Sequence, residues 1–170
     1  KPNVTPTQTF SLPTPFVNIS EAPDVEAAAK AYLDLWVAED YPAMYAQLSR
    51  LTKDAITAED FEARHRNTAV KLTMKSMGYQ ILSSLLGTYT AQVSYQLDYE
   101  TNLLGTISRQ SIMHMILEDG SWHIQWADEM MLPELTNGNY LELVIKTPAR
   151  GNIYSSDASD NYPLVAYEDA

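Results

Sequence analysis

The chain contains no cysteine, which removes disulfide scaffolds, thiol chemistry and cysteine-ligated zinc from consideration. Long apolar runs are missing too: no stretch of about 18 apolar residues occurs, so no segment present has the make-up of a membrane-spanning helix. Basic residues are scarce, with Lys+Arg 11 against Asp+Glu 22 and a net charge of −11. Nucleic acid and anionic lipid surfaces need clustered Lys and Arg, and no such patch occurs, so both are excluded as partners. Familiar catalytic templates are absent as well. There is no Ser-x-x-Lys, no Gly-x-Ser-x-Gly, no glycine-rich phosphate loop and no His-Glu-x-x-His. Lys146-Thr147-Pro148 carries proline where a Lys-Thr-Gly element has glycine. No catalytic residue, metal ligand or cofactor is assigned from the residues.

What is present suffices for one domain with its own core: 170 residues, 45% hydrophobic. The first residue is Lys1 and not Met, which reads as a processed or excised piece of a longer protein. Residues 1–23 hold Pro2, Pro6, Pro13, Pro15 and Pro23 among several threonines, the composition of an extended, semi-rigid spacer. Asn3-Val4-Thr5 and Asn18-Ile19-Ser20 match the N-glycosylation pattern.

Three helices are predicted next. The first starts at Asp24 and buries Val25, Ala29, Tyr32 and Trp36, with Glu26 and Lys30 paired on the wet side. Asp40 caps a short second helix with Pro42 in its first turn. Thr57-Ala58-Glu59-Asp60, a capping-box pattern, opens a third that runs to about Leu72 and places Phe61 and His65 on one face.

From about Lys75 the period becomes two. Tyr89, Ala91, Val93, Tyr95, Leu97 and Tyr99 form one face of a strand. Asp119-Gly120 reads as a two-residue hairpin, pairing Leu117 with Trp122, Met115 with Ile124 and Met113 with Trp126. Inward residues are odd-numbered on both 89–99 and 107–117, so the connecting loop must have odd length, and Thr101–Gly105 supplies five residues. A three-residue loop, 86–88, follows an earlier strand carrying Met77, Tyr79, Ile81 and Leu85, with positive φ expected at Gly87 and Gly105. Tyr140 to Lys146 alternates as a further strand. The result is an α+β domain, three helices packed on a curved antiparallel sheet.

Tyr32, Trp36, His65, Tyr89, Tyr95, Trp122 and Trp126 either line a cavity between helices and sheet or fill the core there. His114 and His123 fall diagonally on the outer face of the hairpin, with no acidic third ligand nearby.

The order of elements resembles the nuclear transport factor 2-like, or cystatin-like, cone. Residues 24–135 resemble the N-terminal domain of class B penicillin-binding proteins of the methicillin-resistance transpeptidase type. The resemblance rests on Ala31-Tyr32-Leu33-Asp34-Leu35-Trp36, on Gly120-Ser121-Trp122-His123-Ile124-Gln125-Trp126, and on Met131-Leu132-Pro133-Glu134-Leu135. Arg150-Gly151-Asn152-Ile153-Tyr154 and Pro163-Leu164-Val165-Ala166 are similar to the opening of that family's following pedestal domain, although the turn between them lacks the family's Asp-Arg-Asn-Gly.

The resemblance implies a division into leader (1–23), domain (24–135) and truncated start of the pedestal (136–170). It implies a non-catalytic extension of a penicillin-binding transpeptidase of peptidoglycan synthesis, acting outside the cytoplasm as spacer and interaction scaffold. The anchor to the cell membrane would lie upstream, and this fragment itself would make no membrane contact. Partners implied are the downstream transpeptidase domains of the same chain, with peptidoglycan or cell-division proteins. The alternative is a free-standing cone that binds or isomerises a small hydrophobic molecule. An interior filled by Trp36, Trp122 and Trp126 counts against that alternative.

Overall fold

The computed structural model describes residues 23–146, 153–154 and 163–166. The leader to residue 22, with both glycosylation patterns, and the turn between residues 154 and 163 lie outside the described residues.

Four α-helices precede the sheet, one more than the sequence predicts: α1 (Val25–Val37), α2 (Tyr41–Ala46), α3 (Arg50–Ala55) and α4 (Ala58–Lys71). Asp24 opens α1 by accepting from the amides of Glu26 and Ala27, and Val25, Ala29, Tyr32, Leu33 and Trp36 are buried. Lys30 pairs with Asp34 at 2.7 Å instead of with Glu26, whose carboxylate accepts from Ser84 Oγ at 2.6 Å. Asp40 caps α2 through the Ala43 amide, and Thr57 caps α4 through the Asp60 amide at 3.1 Å. The unpredicted α3 is six residues long and is capped by Ser49, whose side chain accepts from the Thr52 amide. Its entry also seals a sheet edge. The Ser49 amide donates to Ile124 O at 2.8 Å, and the Ile124 amide to Gln47 O at 3.0 Å.

The sheet is antiparallel in spatial order β1 (Met74–Leu86), β2 (Thr90–Thr101), β3 (Thr106–Glu118), β4 (Ser121–Gln125). Asp119 and Gly120 both have positive φ, 50° and 79°, as a primed hairpin turn requires. The pairing runs Glu118↔Ser121, Leu117↔Trp122, Met115↔Ile124 and His114↔Gln125. It stops there, one pair short of Met113 and Trp126, because β4 ends at Gln125. Glu100 pairs with Thr106 across the five-residue loop 101–105, where Gly105 has φ 73°.

Between β1 and β2 the structure departs from expectation. The turn pairs Leu86 with Ala91 and Leu85 with Gln92, so the tip is longer than the 86–88 loop predicted. In that register Leu85 lies on the outer face, 67% exposed, and not in the core. A bulge between Ile81 and Ser83 then corrects the phase, so that Ile81, Tyr79 and Met77 pair with Tyr95, Leu97 and Tyr99. Tyr89 belongs to the turn, 68% exposed, and the inward face of β2 begins at Ala91. Gly87 has no positive φ. Glycine is needed there because a Cβ would stand 3.0 Å from Thr90 O.

After β4 the chain makes two 3₁₀ turns, Asp128–Met130 and Pro133–Gly138, burying Met130, Met131, Leu132 and Leu135. Tyr140 to Lys146 forms no strand: its alternation survives only as half-buried Leu141 and Leu143, with no partner edge among the described residues. Further on, β5 (Ile153–Tyr154) pairs antiparallel with β6 (Pro163–Ala166). At the other end Trp122 Nε1 donates to Pro23 O at 2.7 Å, fixing the start of the domain to β4.

These caps and turns set a modest, testable scale. Thr57→Ala and Gly120→Ala are each expected to cost about 1 kcal/mol, by loss of the cap and by forcing a Cβ into positive φ. Urea midpoints that do not move would count against both.

Candidate functional site

The space between α1, α4 and the sheet is the place where a cone of this kind would hold a ligand. Here it is occupied by the chain's own aromatic rings. His65, on α4, sits at their centre, its ring centroid 4.3 Å from Phe61, 5.1 Å from Trp36, 5.4 Å from Tyr41 and 5.6 Å from Trp126. Phe61 and Trp126 meet edge to face at 5.1 Å, and Tyr32 and Trp36 at 6.4 Å. What remains open beside His65 is about 10 Å³, bounded by Trp36, Tyr41, Leu72, Tyr99 and Met131. That is room for one water at most.

Of the seven residues singled out from sequence, Tyr32, Trp36, His65, Tyr95 and Trp122 are buried. Trp126 is half-buried, reaching the same cluster from just beyond β4. Tyr89 is the exception and lies outside, because the turn and the bulge of β1 shift the hairpin tip away from the core.

The buried polar groups are arranged for structure. The His65 ring accepts no charge easily: Nδ1 bonds to Phe61 O at 2.9 Å, Nε2 has no partner, and burial lowers its pKa from 6.5 to about 4. A neutral imidazole walled in by rings has no route to a substrate proton. Tyr95 and Tyr99 donate to Met130 O at 2.7 Å and to Met131 O at 2.6 Å, and burial pushes both hydroxyls above the ordinary tyrosine value. They clamp the segment after β4 onto β2. Ser111 Oγ, donating to Glu129 O at 2.7 Å, and the Arg109–Glu134 and Arg64–Asp128 ion pairs hold the same segment.

Two surface features were missed from sequence. A cleft of about 470 Å³ runs between α3, Arg64, His114 and Trp126, floored by Leu51, Thr52 and Ile56. A smaller one of about 170 Å³ lies between α4 and the clamped segment, bounded by Arg64, Asn67, Lys71, Asp128 and Tyr140. The first exists because α3 exists, and Ser49 three residues before Thr52 was the available capping signal. His114 and His123 do lie diagonally on the outer face. Among the described residues no group of three His, Asp or Glu side chains converges as a metal site. No described helix is long and apolar enough to cross a membrane.

A family model described as the NTF2-like N-terminal transpeptidase domain matches residues 24–139. None of the curated proteins matches the sequence. Among solved structures the chain is similar to a SEC-C motif containing protein from Rhodopseudomonas palustris, at 12% identity and TM-score 0.49, covering 61% of this chain and 76% of that one. It is also similar to a protein described as an NTF2-like transpeptidase from Campylobacter jejuni, at 13% identity and TM-score 0.42, with 58% and 94% covered. A third is the protein Aln2 from a Streptomyces species, at 12% identity and TM-score 0.44, with 72% and 99% covered.

Proposed function

Because the chain belongs to the NTF2-like N-terminal transpeptidase domain family, we propose that it is the spacer and interaction scaffold of a membrane-anchored penicillin-binding transpeptidase of peptidoglycan synthesis, standing outside the cytoplasm. The anchor lies upstream and the serine enzyme downstream in the parent protein. In this reading residues 1–23 are the spacer, 24–135 the domain, and 136–170 the start of the pedestal that follows. Downstream domains of the same chain, peptidoglycan and cell-division proteins are the proposed partners.

The observation that carries the reading is the filled interior. A fold whose central space is packed with Trp36, Tyr41, His65 and Tyr99, leaving about 10 Å³ beside His65, is suited to bearing and positioning other parts, not to enclosing a substrate. The same packing weighs against a small hydrophobic ligand bound inside the cone. The clamps on the segment after β4 support the reading as well, since they fix the direction in which the chain leaves the domain.

Two results test this. The 170-residue chain incubated with a fluorescent penicillin is expected to take no covalent label, and labelling would refute a non-catalytic role. The parent gene is expected to encode Ser-x-x-Lys, Ser-x-Asn and Lys-Thr-Gly downstream of Ala170. A parent without them would overturn the transpeptidase assignment.

A further inference from the structure

The tip of the β1–β2 hairpin is apolar and exposed. Leu82, Leu85, Leu86 and Tyr89 are 43%, 67%, 56% and 68% exposed. No residue from Ser76 to Leu97 is charged, although 19% of the chain is. A single exposed apolar side chain needs no explanation, but these four, close together on a stretch without charge, form a patch of the kind that takes a partner.

Leu86 shows why the patch is open. It pairs with Ala91, which is 3% exposed, so it stands on the core face of the sheet, as does Ser84 opposite Val93. The helix that covers this face stops short of it. Tyr79 bonds to Asp34 and Ser84 to Glu26, so α1 runs antiparallel to β1 and its N-terminal end points toward the tip. The chain leading into α1 is held there. Pro23 O accepts from Trp122 Nε1 at 2.7 Å, Trp122 pairs with Leu117, and the Leu117 amide donates to Tyr89 O at 2.9 Å. The entry point of the domain and its apolar tip are therefore neighbours.

We infer that this patch is the seat of the last part of the leader, residues 16–22. Phe16–Ala22 is the longest stretch of the leader without proline, so it suits an extended path along a sheet. It carries Phe16, Val17 and Ile19, and its one charge is Glu21. Its reach is sufficient: from Pro23 back to Ile19 is about 13 Å of extended chain and to Phe16 about 23 Å, against about 14 Å for the three strand spacings from β4 to β1. Charge favours cover from within the chain, because a second copy brings its own −11 against the first. The inference goes beyond the scaffold reading and is independent of what lies downstream. It shortens the spacer proper to residues 1–15 and makes Phe16 the start of the domain.

In the full chain, nuclear Overhauser contacts are expected between the Val17 and Ile19 methyls and the Tyr89 ring and Leu86 methyls. The absence of cysteine allows a second readout, an intramolecular disulfide between Asn18→Cys and Thr88→Cys under mild oxidation. Adding Val17→Asn and Tyr89→Ser, the latter at an exposed position, should slow its closure about tenfold or more by lowering the effective concentration of one thiol at the other. Absence of the contacts overturns the proposal, and so does a closure rate indifferent to the two added changes, which would mark a chance collision. A different occupant overturns it too. Mass that rises with concentration and falls back with Tyr89→Ser would assign the tip to a second copy. Sedimentation with phosphatidylcholine vesicles that Tyr89→Ser abolishes would assign it to lipid.

Discussion

Replacing Tyr95 and Tyr99 together by phenylalanine is expected to lower the unfolding free energy by about 2–4 kcal/mol, with little change in the slope against denaturant. The rings would stay where they are, since both side chains are buried in β2 and phenylalanine keeps their volume. What is lost is the pair of donors to Met130 O and Met131 O, at 2.7 and 2.6 Å. Those residues are themselves 2% exposed, so their carbonyls have little access to replacement water. Leaving a buried acceptor without a donor costs about 1–3 kcal/mol, which is why the effect should exceed that of deleting two surface hydrogen bonds. The loss should also be local. Hydrogen exchange in residues 128–135 should speed up more than in α1. A double variant within about 1 kcal/mol of the parent would show that the clamp is incidental.

The second large effect is acid sensitivity centred on His65. Its folded pKa of about 4 lies below the 6.5 of an unburied histidine. The unfolded chain therefore takes up a proton at this position as pH falls through about 6.5, whereas the native state does so only near 4. Native stability is complete above about 6.5 and falls by about 3 kcal/mol on the way to pH 4. No carboxylate appears among the aromatic rings in contact with His65 to offset this. Trp36, Tyr41, Phe61 and Trp126 surround it, and the Phe61 carbonyl, 2.9 Å from Nδ1, offsets only part of the effect of burial. Asp34 and Glu134 have pKa values held below the carboxylate range by Lys30 and Arg109, so their contributions would be lost only in stronger acid and, being exposed, are small. Urea titrations of the parent and of His65→Phe between about pH 7 and pH 4 check this. The parent should lose stability over that range and the variant should lose much less. Parallel pH profiles would refute the assignment to His65.

How much of this was legible beforehand differs from element to element for physical reasons. The Asp119-Gly120 turn set the β3–β4 register because a two-residue primed hairpin admits one pairing, and the structure has that pairing as far as His114↔Gln125. Parity alone required an odd loop between β2 and β3, and the loop has five residues. The β1–β2 connection failed under the same reasoning because a bulge adds one residue without any compositional mark. The phase error it corrects moved Leu85 to the outside and was accompanied by Tyr89 lying in the turn. Helix α3 escaped notice since six residues show less than two turns of periodicity, and only its Ser49 cap distinguishes it from a loop. Tyr140 to Lys146 alternates as a strand should, yet alternation supplies a face and not a partner edge. Most of the aromatic site was visible as inward-facing rings. Whether those rings enclosed space or filled it depended on distances between helices and sheet, which no local pattern encodes.

The contact between Trp122 Nε1 and Pro23 O joins residues 99 apart in sequence and attaches the entrance of the domain to β4. Its exit is attached to β2 through Tyr95 and Tyr99. A pull on the two ends would therefore enter the sheet on one strand and leave it two strands away, loading the β2–β3 and β3–β4 ladders together. Under tension the domain would behave as a stiff link, transmitting movement of whatever precedes it to whatever follows.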